Sequence, residues 1–168
     1  MKWAIIVVIM MSLLGSMMWV MPSPRQRFLA TLRLQASRMG FHVQIVRMTP
    51  PRAAGQVEPE TLNSTAYRLP RFNIEKKQRE NFSEWQVFRL SAIANEGLPE
   101  GWSWGAGERA LSEVQLEALN NFIAELPDGV VSIESTPVHF SLFWDEKGDE
   151  NTLQQLHDLM QPMLEQQF

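Results

Sequence analysis

Hydrophobic and polar residues change their spacing several times along the chain, and each change marks a new element. Residues 4–21 form an uninterrupted apolar run of 18 residues that contains no charge. As a helix this run would be roughly 27 Å long, close to the roughly 30 Å of bilayer hydrocarbon. Its end lacks the small residues of a signal-peptide cleavage site. We therefore expect a single-pass transmembrane anchor over residues 1–21 rather than a cleaved secretory signal.

Residues 22–40 carry a second pattern, that of an amphipathic juxtamembrane helix with an entirely basic polar face. Ser23 and Pro24 suit its first turn, and Gly40 suits its end. Its charged side chains are Arg25, Arg27, Arg33 and Arg38. Because more positive charge follows the apolar run than precedes it, we expect an inner-membrane protein with a cytoplasmic C-terminal domain. The four arginines would then contact anionic lipid headgroups, or else be solvated while the apolar face packs on the domain.

Residues 41–168 alternate between strand-like and helix-like spacing. Period two predicts strands over 41–48, 65–69, 84–90, 130–134 and 138–144. Helical spacing predicts one helix from Ser112, where Gln115 completes a capping box, and a last helix capped by Asn151. Because the connections are short, antiparallel pairing is favoured. The predicted fold class is α+β: a transmembrane helix, then a small soluble antiparallel sheet of four or five strands with helices packed on one face.

The charges are distributed unevenly, which the net charge of −4 conceals. All nineteen acidic residues lie beyond residue 57, where they outnumber eight lysines and arginines. This acidic domain would repel phosphate, so we expect no nucleic-acid partner. The chain has no cysteine, which excludes disulfides, thiolate metal sites and cysteine nucleophiles.

No motif predicts a catalytic, cofactor-binding or metal site. The segment 105–110 matches a relaxed G-x-G-x-x-A, but it follows a loop rather than a buried strand. The acids within 145–150 lack the EF-hand spacing, and the three histidines are isolated in sequence. Trp102 and Trp104 would point the same way in an extended segment. They form an exposed partner-binding surface or else close the edge of the core.

The stretch directly after the apolar run, Met21-Pro-Ser-Pro-Arg-Gln-Arg27, supports a family resemblance. It resembles the basic segment after the span in the YajC family, accessory subunits of the Sec translocase. It is also similar to uncharacterised gammaproteobacterial single-span inner-membrane proteins that are grouped with them. The resemblance ends at residue 40 and implies an accessory role beside a membrane. Since the rest of the chain departs from that family's glycine-rich β-domain, no functional residue is carried over.

The anchor, the basic helix and the missing catalytic motifs predict one kind of function. We expect a membrane-tethered accessory or interaction domain without enzymatic activity or cofactor, which binds anionic lipids and a protein partner. Two alternatives stay open. One is a membrane-anchored enzyme with an unrecognised active site, and the other is an envelope protein whose domain is exported.

Overall fold

The structure is a computed structural model, and it describes residues 2–19, 22–52, 61–72 and 74–166. The chain divides into two compact units, Met1–Thr31 and Leu32–Phe168. The boundary between the units falls within a helix rather than in a linker. The sequence also predicts a loop over 50–63, of which residues 53–60 lie outside the described residues, as do residues 1, 20 and 21 of the predicted anchor.

The first unit contains one whole helix and the start of the next. Helix α1 spans Lys2–Trp19, and helix α2 spans Pro24–Arg38. The predicted start of α2 is confirmed, because the Ser23 hydroxyl accepts a hydrogen bond from the Gln26 amide at 3.2 Å. The Gln26 side chain in turn accepts from the Ser23 amide at 2.8 Å. This reciprocal cap satisfies two of the backbone donors that a helix start leaves unpaired.

The second unit is built on an antiparallel sheet of six strands in the order β1-β2-β6-β5-β3-β4. The strands are β1 (His42–Met48), β2 (Leu62–Pro70), β3 (Trp85–Phe88), β4 (Ser103–Ala106), β5 (Val130–Ser135) and β6 (His139–Trp144). The central hairpin of β5 and β6 is flanked by pairings that join segments distant in sequence. This sheet confirms the predicted α+β class, although it has more strands than the four or five expected.

Three further helices complete the second unit: α3 (Lys76–Glu80), α4 (Glu113–Glu125) and α5 (Glu150–Glu165). The predicted capping box of α4 is confirmed, because Ser112 and Gln115 each bond the other's backbone amide. The cap of α5 is Asp149, whose carboxylate accepts from the Thr152 amide at 3.0 Å. The sequence prediction of Asn151 was therefore wrong by two residues, since Asn151 already lies within the first turn.

The main core lies between one sheet face and the helices. Leu32 and Ala36 of α2, the apolar sides of α4 and α5, and the inward residues of β2 to β6 form one buried cluster, and the partly buried Val43 of β1 packs against it. A smaller cluster of Met48, Ala66, Phe88 and Phe143 lies on the opposite sheet face. No helical residue within the described ranges belongs to that smaller cluster. We call this opposite side of the sheet the open face.

The predicted membrane anchor is wrong. Within the described residues, no helix is both long and apolar enough to cross a bilayer. Helix α1 has 18 residues and includes Lys2, so at about 1.5 Å per residue it is roughly 27 Å long. Because Lys2 is charged, the apolar part of the described helix is shorter than the roughly 18 consecutive residues that mark a span. The predicted single-pass topology and inner-membrane location are wrong for the same reason.

Strand β4 is the element that the sequence analysis missed. It lies in the segment 95–110, which the sequence predicts to be a loop because it contains several glycines and two tryptophans. Its pairing with β3 contains a β-bulge between Gln86 and Val87, and Gly105 packs against the Phe88 ring where a Cβ would not fit. Glycine in a strand accommodates such a close approach, so the same residue that suggested a loop permits the strand.

Candidate functional site

The two tryptophans predicted as a partner surface are packed in the core. Trp102 and Trp104 are each 4% exposed. The Trp104 indole donates to the Glu96 carbonyl at 3.0 Å and meets Trp85 edge to face at 6.5 Å. The Arg89 guanidinium lies over the Trp102 ring, 5.6 Å from the ring centroid. The structure therefore places this pair in the role of closing the core edge, which was the other interpretation.

The four arginines of the predicted basic helix lie in different surroundings. Arg25 and Arg27 belong to the first unit, whereas Arg33 and Arg38 belong to the second. Arg25, Arg27 and Arg38 are exposed. Their contact with anionic headgroups stays a prediction. Arg33, by contrast, forms an ion pair with Glu146, which belongs to the same unit.

Arg33 forms a bidentate pair with Glu146, which is 4% exposed. Its Nε and terminal nitrogen lie 2.7 and 2.6 Å from the two carboxylate oxygens. The Tyr67 hydroxyl donates to the same carboxylate at 2.8 Å, and the Thr65 hydroxyl donates to it at 3.2 Å. Burial alone would raise the pKa of Glu146, but these hydrogen bonds and the arginine charge hold it below its usual value. This network fixes α2 to the sheet and is structural.

A groove lies between α4 and α5. It has a volume of about 850 Å³ and is lined from Asn151, in the first turn of α5, to Gln166 at its end. Phe122 and Met163 form its floor and are 6% and 4% exposed. Leu159 and Ala118, which are partly exposed, line it as well. We call this feature the α4–α5 groove.

The floor of the groove is held rigidly from below. Phe122 meets Phe140 of the central strand β6 edge to face, with 5.7 Å between ring centroids. The Gln155 side chain donates to the Glu125 carbonyl at 3.4 Å and connects the two helices at one end. A preformed floor of this kind lowers the conformational cost of binding.

The rim of the groove is polar and carries negative charge. Its polar side chains are Asn121, Glu125, Asn151, Gln154, Gln155, Asp158 and Gln166. Among the described residues, Glu125 and Asp158 are the two charged residues of its lining, and no lysine or arginine lines it. An apolar floor inside a hydrogen-bonding rim is the arrangement of a binding site rather than of a bare packing gap.

A second group of polar side chains lies on the open face of the sheet. Residues in register across the strands form one row, His42, Arg68, Ser141, Glu134 and Gln86. Beside it, His139 Nδ1 lies 3.0 Å from the Ser141 hydroxyl and 3.9 Å from a Glu134 oxygen. A serine–histidine–acid relay needs the hydroxyl and the carboxylate on opposite ring nitrogens. Here both face Nδ1, so the row does not form such a relay.

The surroundings of His139 also oppose a role as a charged group. Burial, followed by the positive charge of Arg68, lowers its pKa, although Glu134 acts in the opposite direction. The imidazole is therefore neutral near pH 7 and accepts or donates as an ordinary polar side chain. A pocket of about 200 Å³ beside it is lined by His42, Gln44, Arg68, Pro70, Val138 and His139, which is too small for most metabolites.

The acids of the turn at 145–150 point in separate directions. Asp145 pairs with Lys147 at 2.9 Å, Glu146 turns inward to Arg33, and Asp149 caps α5. Within the described residues, no three His, Cys, Asp or Glu side chains converge as metal ligands would. Each of these carboxylates has a structural explanation.

No protein-family model, curated protein or solved structure matches the chain. The resemblance of residues 21–27 to the YajC family therefore stays a prediction. Function has to be inferred from the geometry of this molecule. The feature that the sequence analysis missed is the α4–α5 groove, and its signal was present in two neighbouring acidic helices that contain no lysine or arginine.

Proposed function

We propose that this protein is a non-enzymatic interaction domain that binds a partner protein in the α4–α5 groove. The observation that carries the proposal is the groove itself, with its volume of about 850 Å³, apolar floor and amide-rich rim. Clefts of roughly 300–1,000 Å³ are the size at which proteins hold ligands or anchoring side chains. The partner is not identified by any relative.

Two features favour binding over catalysis. The ionisable groups that line the groove, Glu125 and Asp158, are both exposed carboxylates, whereas catalytic acids and bases are typically desolvated within a cleft. The histidine cluster on the open face has the wrong geometry for a relay. The alternative of a membrane-anchored enzyme also depends on an anchor that the described helices do not provide.

A site-specific photo-crosslinking experiment in the native host tests the proposal. A photoreactive amino acid replaces Asn121, which is exposed on the groove rim, and in a control chain replaces Val114, which is 77% exposed but outside the groove. We expect a discrete protein adduct from position 121 and none from position 114. Substitution Ala118→Trp, which fills the groove without changing charge, should remove the adduct.

The proposal fails if position 121 gives no adduct. It also fails if Ala118→Trp leaves the adduct unchanged while the variant keeps its urea unfolding midpoint. A variant that loses its fold would be replaced by Leu159→Trp, which blocks the same groove from the α5 side.

A further inference from the structure

We infer that the segment bound in the α4–α5 groove is an amphipathic α-helix with lysines or arginines beside its apolar stripe. This inference rests on the proposed function and names the partner's chemical class. It commits to a helix supplied by another protein rather than by a second copy of this chain.

The shape of the groove favours a helix over an extended strand. An extended peptide gains most of its affinity from main-chain hydrogen bonds to an exposed strand edge. Both walls here are helices, whose backbone groups are already bonded within each helix. The groove follows α5, whose 16 residues extend over about 24 Å. A ligand helix of four to five turns would match that length and place an apolar stripe on Phe122, Leu159 and Met163.

The charge of the two walls favours a basic ligand. Helices α4 and α5 carry Glu113, Glu117, Glu125, Glu150, Asp158 and Glu165 and no lysine or arginine. Among the described residues, none of these six carboxylates forms an ion pair with a lysine or arginine. Glu125 and Asp158 stand at the groove itself. Charges of one sign along a groove steer ligands of the opposite sign and exclude ligands of the same sign.

The rim amides fit the same ligand. Asn121, Asn151, Gln154, Gln155 and Gln166 surround the floor. Amides can accept hydrogen bonds from ammonium and guanidinium groups. A basic side chain leaving the apolar stripe therefore meets an acceptor on either wall, whereas an acidic side chain meets carboxylates at Glu125 and Asp158.

The test uses the full-length chain and two designed 18-residue peptides of identical leucine stripe. One peptide carries lysine on both flanks of the stripe, and the other carries glutamate at the same positions. Binding is measured by fluorescence anisotropy at low and at physiological salt. We expect the lysine peptide to bind at least tenfold more tightly than the glutamate peptide, and the difference to shrink as salt rises.

Matched variants locate the binding. Glu125→Lys with Asp158→Lys reverses the two charges of the groove and should weaken the lysine peptide about tenfold. Glu84→Lys with Glu100→Lys makes the same change of charge at exposed positions outside both walls and outside the lining, and should change affinity by less than about threefold. Ala118→Trp should abolish binding of the lysine peptide.

The outcomes separate this inference from the proposed function. If both peptides bind equally and Ala118→Trp abolishes this binding, the groove is still a binding site but the basic partner is refuted. Equal losses from the two charge-reversed pairs would show nonspecific attraction and refute it too. If the chain self-associates and Ala118→Trp prevents this, the occupant is a second copy of the chain and the inference is overturned. No binding of either peptide, together with failed crosslinking at position 121, would refute the proposed function itself.

Discussion

Replacing Glu146 with glutamine should destabilise the second unit more than any change at an exposed ion pair. The carboxylate accepts two hydrogen bonds from Arg33 and one from Tyr67, all at 2.6–2.8 Å. Glutamine keeps the shape of the side chain but removes its charge. Its amide nitrogen is a donor, and it would face the donors of the guanidinium or the phenol. At least one buried hydrogen bond is therefore lost whichever way the amide turns.

The size of the effect follows from burial. Removing one partner of a fully buried pair costs about 3–5 kcal/mol. The Glu146 side chain is 6% exposed, but the Arg33 side chain is 33% exposed, so water still solvates part of the remaining charge. We therefore expect Glu146→Gln to lower the free energy of unfolding by about 2–3 kcal/mol. In a double-mutant cycle with Arg33→Met, much of that loss should appear as a coupling free energy between the two residues.

The chain offers a matched control. Glu96 pairs with Arg109 at 2.7 Å, a similar distance, but the two side chains are 61% and 78% exposed. Glu96→Gln should cost at most about 1 kcal/mol, because exposed pairs contribute little. Urea unfolding followed by tryptophan fluorescence measures both variants, with the free energies taken by linear extrapolation. Equal losses for Glu146→Gln and Glu96→Gln would refute the argument from burial.

The pH dependence of stability gives the same network a second readout. Because the pKa of folded Glu146 lies below its usual value, its contribution to stability is present above about pH 4.3. It is lost as pH falls through the folded pKa, where protonation releases Arg33. The Glu146→Gln variant has no such proton to take up. Its stability curve should therefore be flatter than that of the unmodified chain below about pH 4.3.

Three other changes have defined outcomes. Trp104→Ala should lower the free energy of unfolding by about 3–5 kcal/mol, since the ring is 4% exposed; a loss below 1 kcal/mol in urea melts would contradict its core placement. Gly107→Ala should cost at least about 1 kcal/mol in the same melts, because φ is +73° and a Cβ would lie 2.6 Å from the Glu84 carbonyl oxygen. His139→Asn should reduce the loss of stability on acidification below about pH 6.5, since the folded pKa is lowered; an unchanged pH profile would contradict this.

Elements whose pattern is local could be predicted from the sequence. The reciprocal caps at Ser23 and Ser112 each involve residues three positions apart, so the signal is complete within one turn. The alternating strands near residues 42–48 and 139–144 were recognisable for the same reason. Strand β4 was not, since its pairing depends on the bulge opposite and on the space that Gly105 leaves for Phe88. Those conditions exist only after the chain has folded.

Contacts between distant residues determine where the predicted site residues lie in the fold. Arg33 and Glu146 are 113 positions apart, and nothing local distinguishes Glu146 from the other acids of its turn. Its backbone φ of 58° directs it inward, a conformation uncommon for a residue other than glycine. An arginine predicted to lie on the surface therefore pairs with a buried carboxylate, although its own side chain is still 33% exposed. Likewise, two indoles two residues apart could point outward or inward, and only packing against Trp85 decides which.

The folded chain pairs some of its acidic residues with arginines and leaves others without a lysine or arginine partner. Acids near the sheet have partners: Glu134 lies 3.8 Å from Arg68, and Asp128 lies 3.6 Å from Arg89. The six carboxylates of α4 and α5 have no lysine or arginine partner among the described residues. Two of these carboxylates, Glu125 and Asp158, line the α4–α5 groove. Because uncompensated like charges repel each other, a basic ligand in the α4–α5 groove would relieve that repulsion as well as bury the apolar floor.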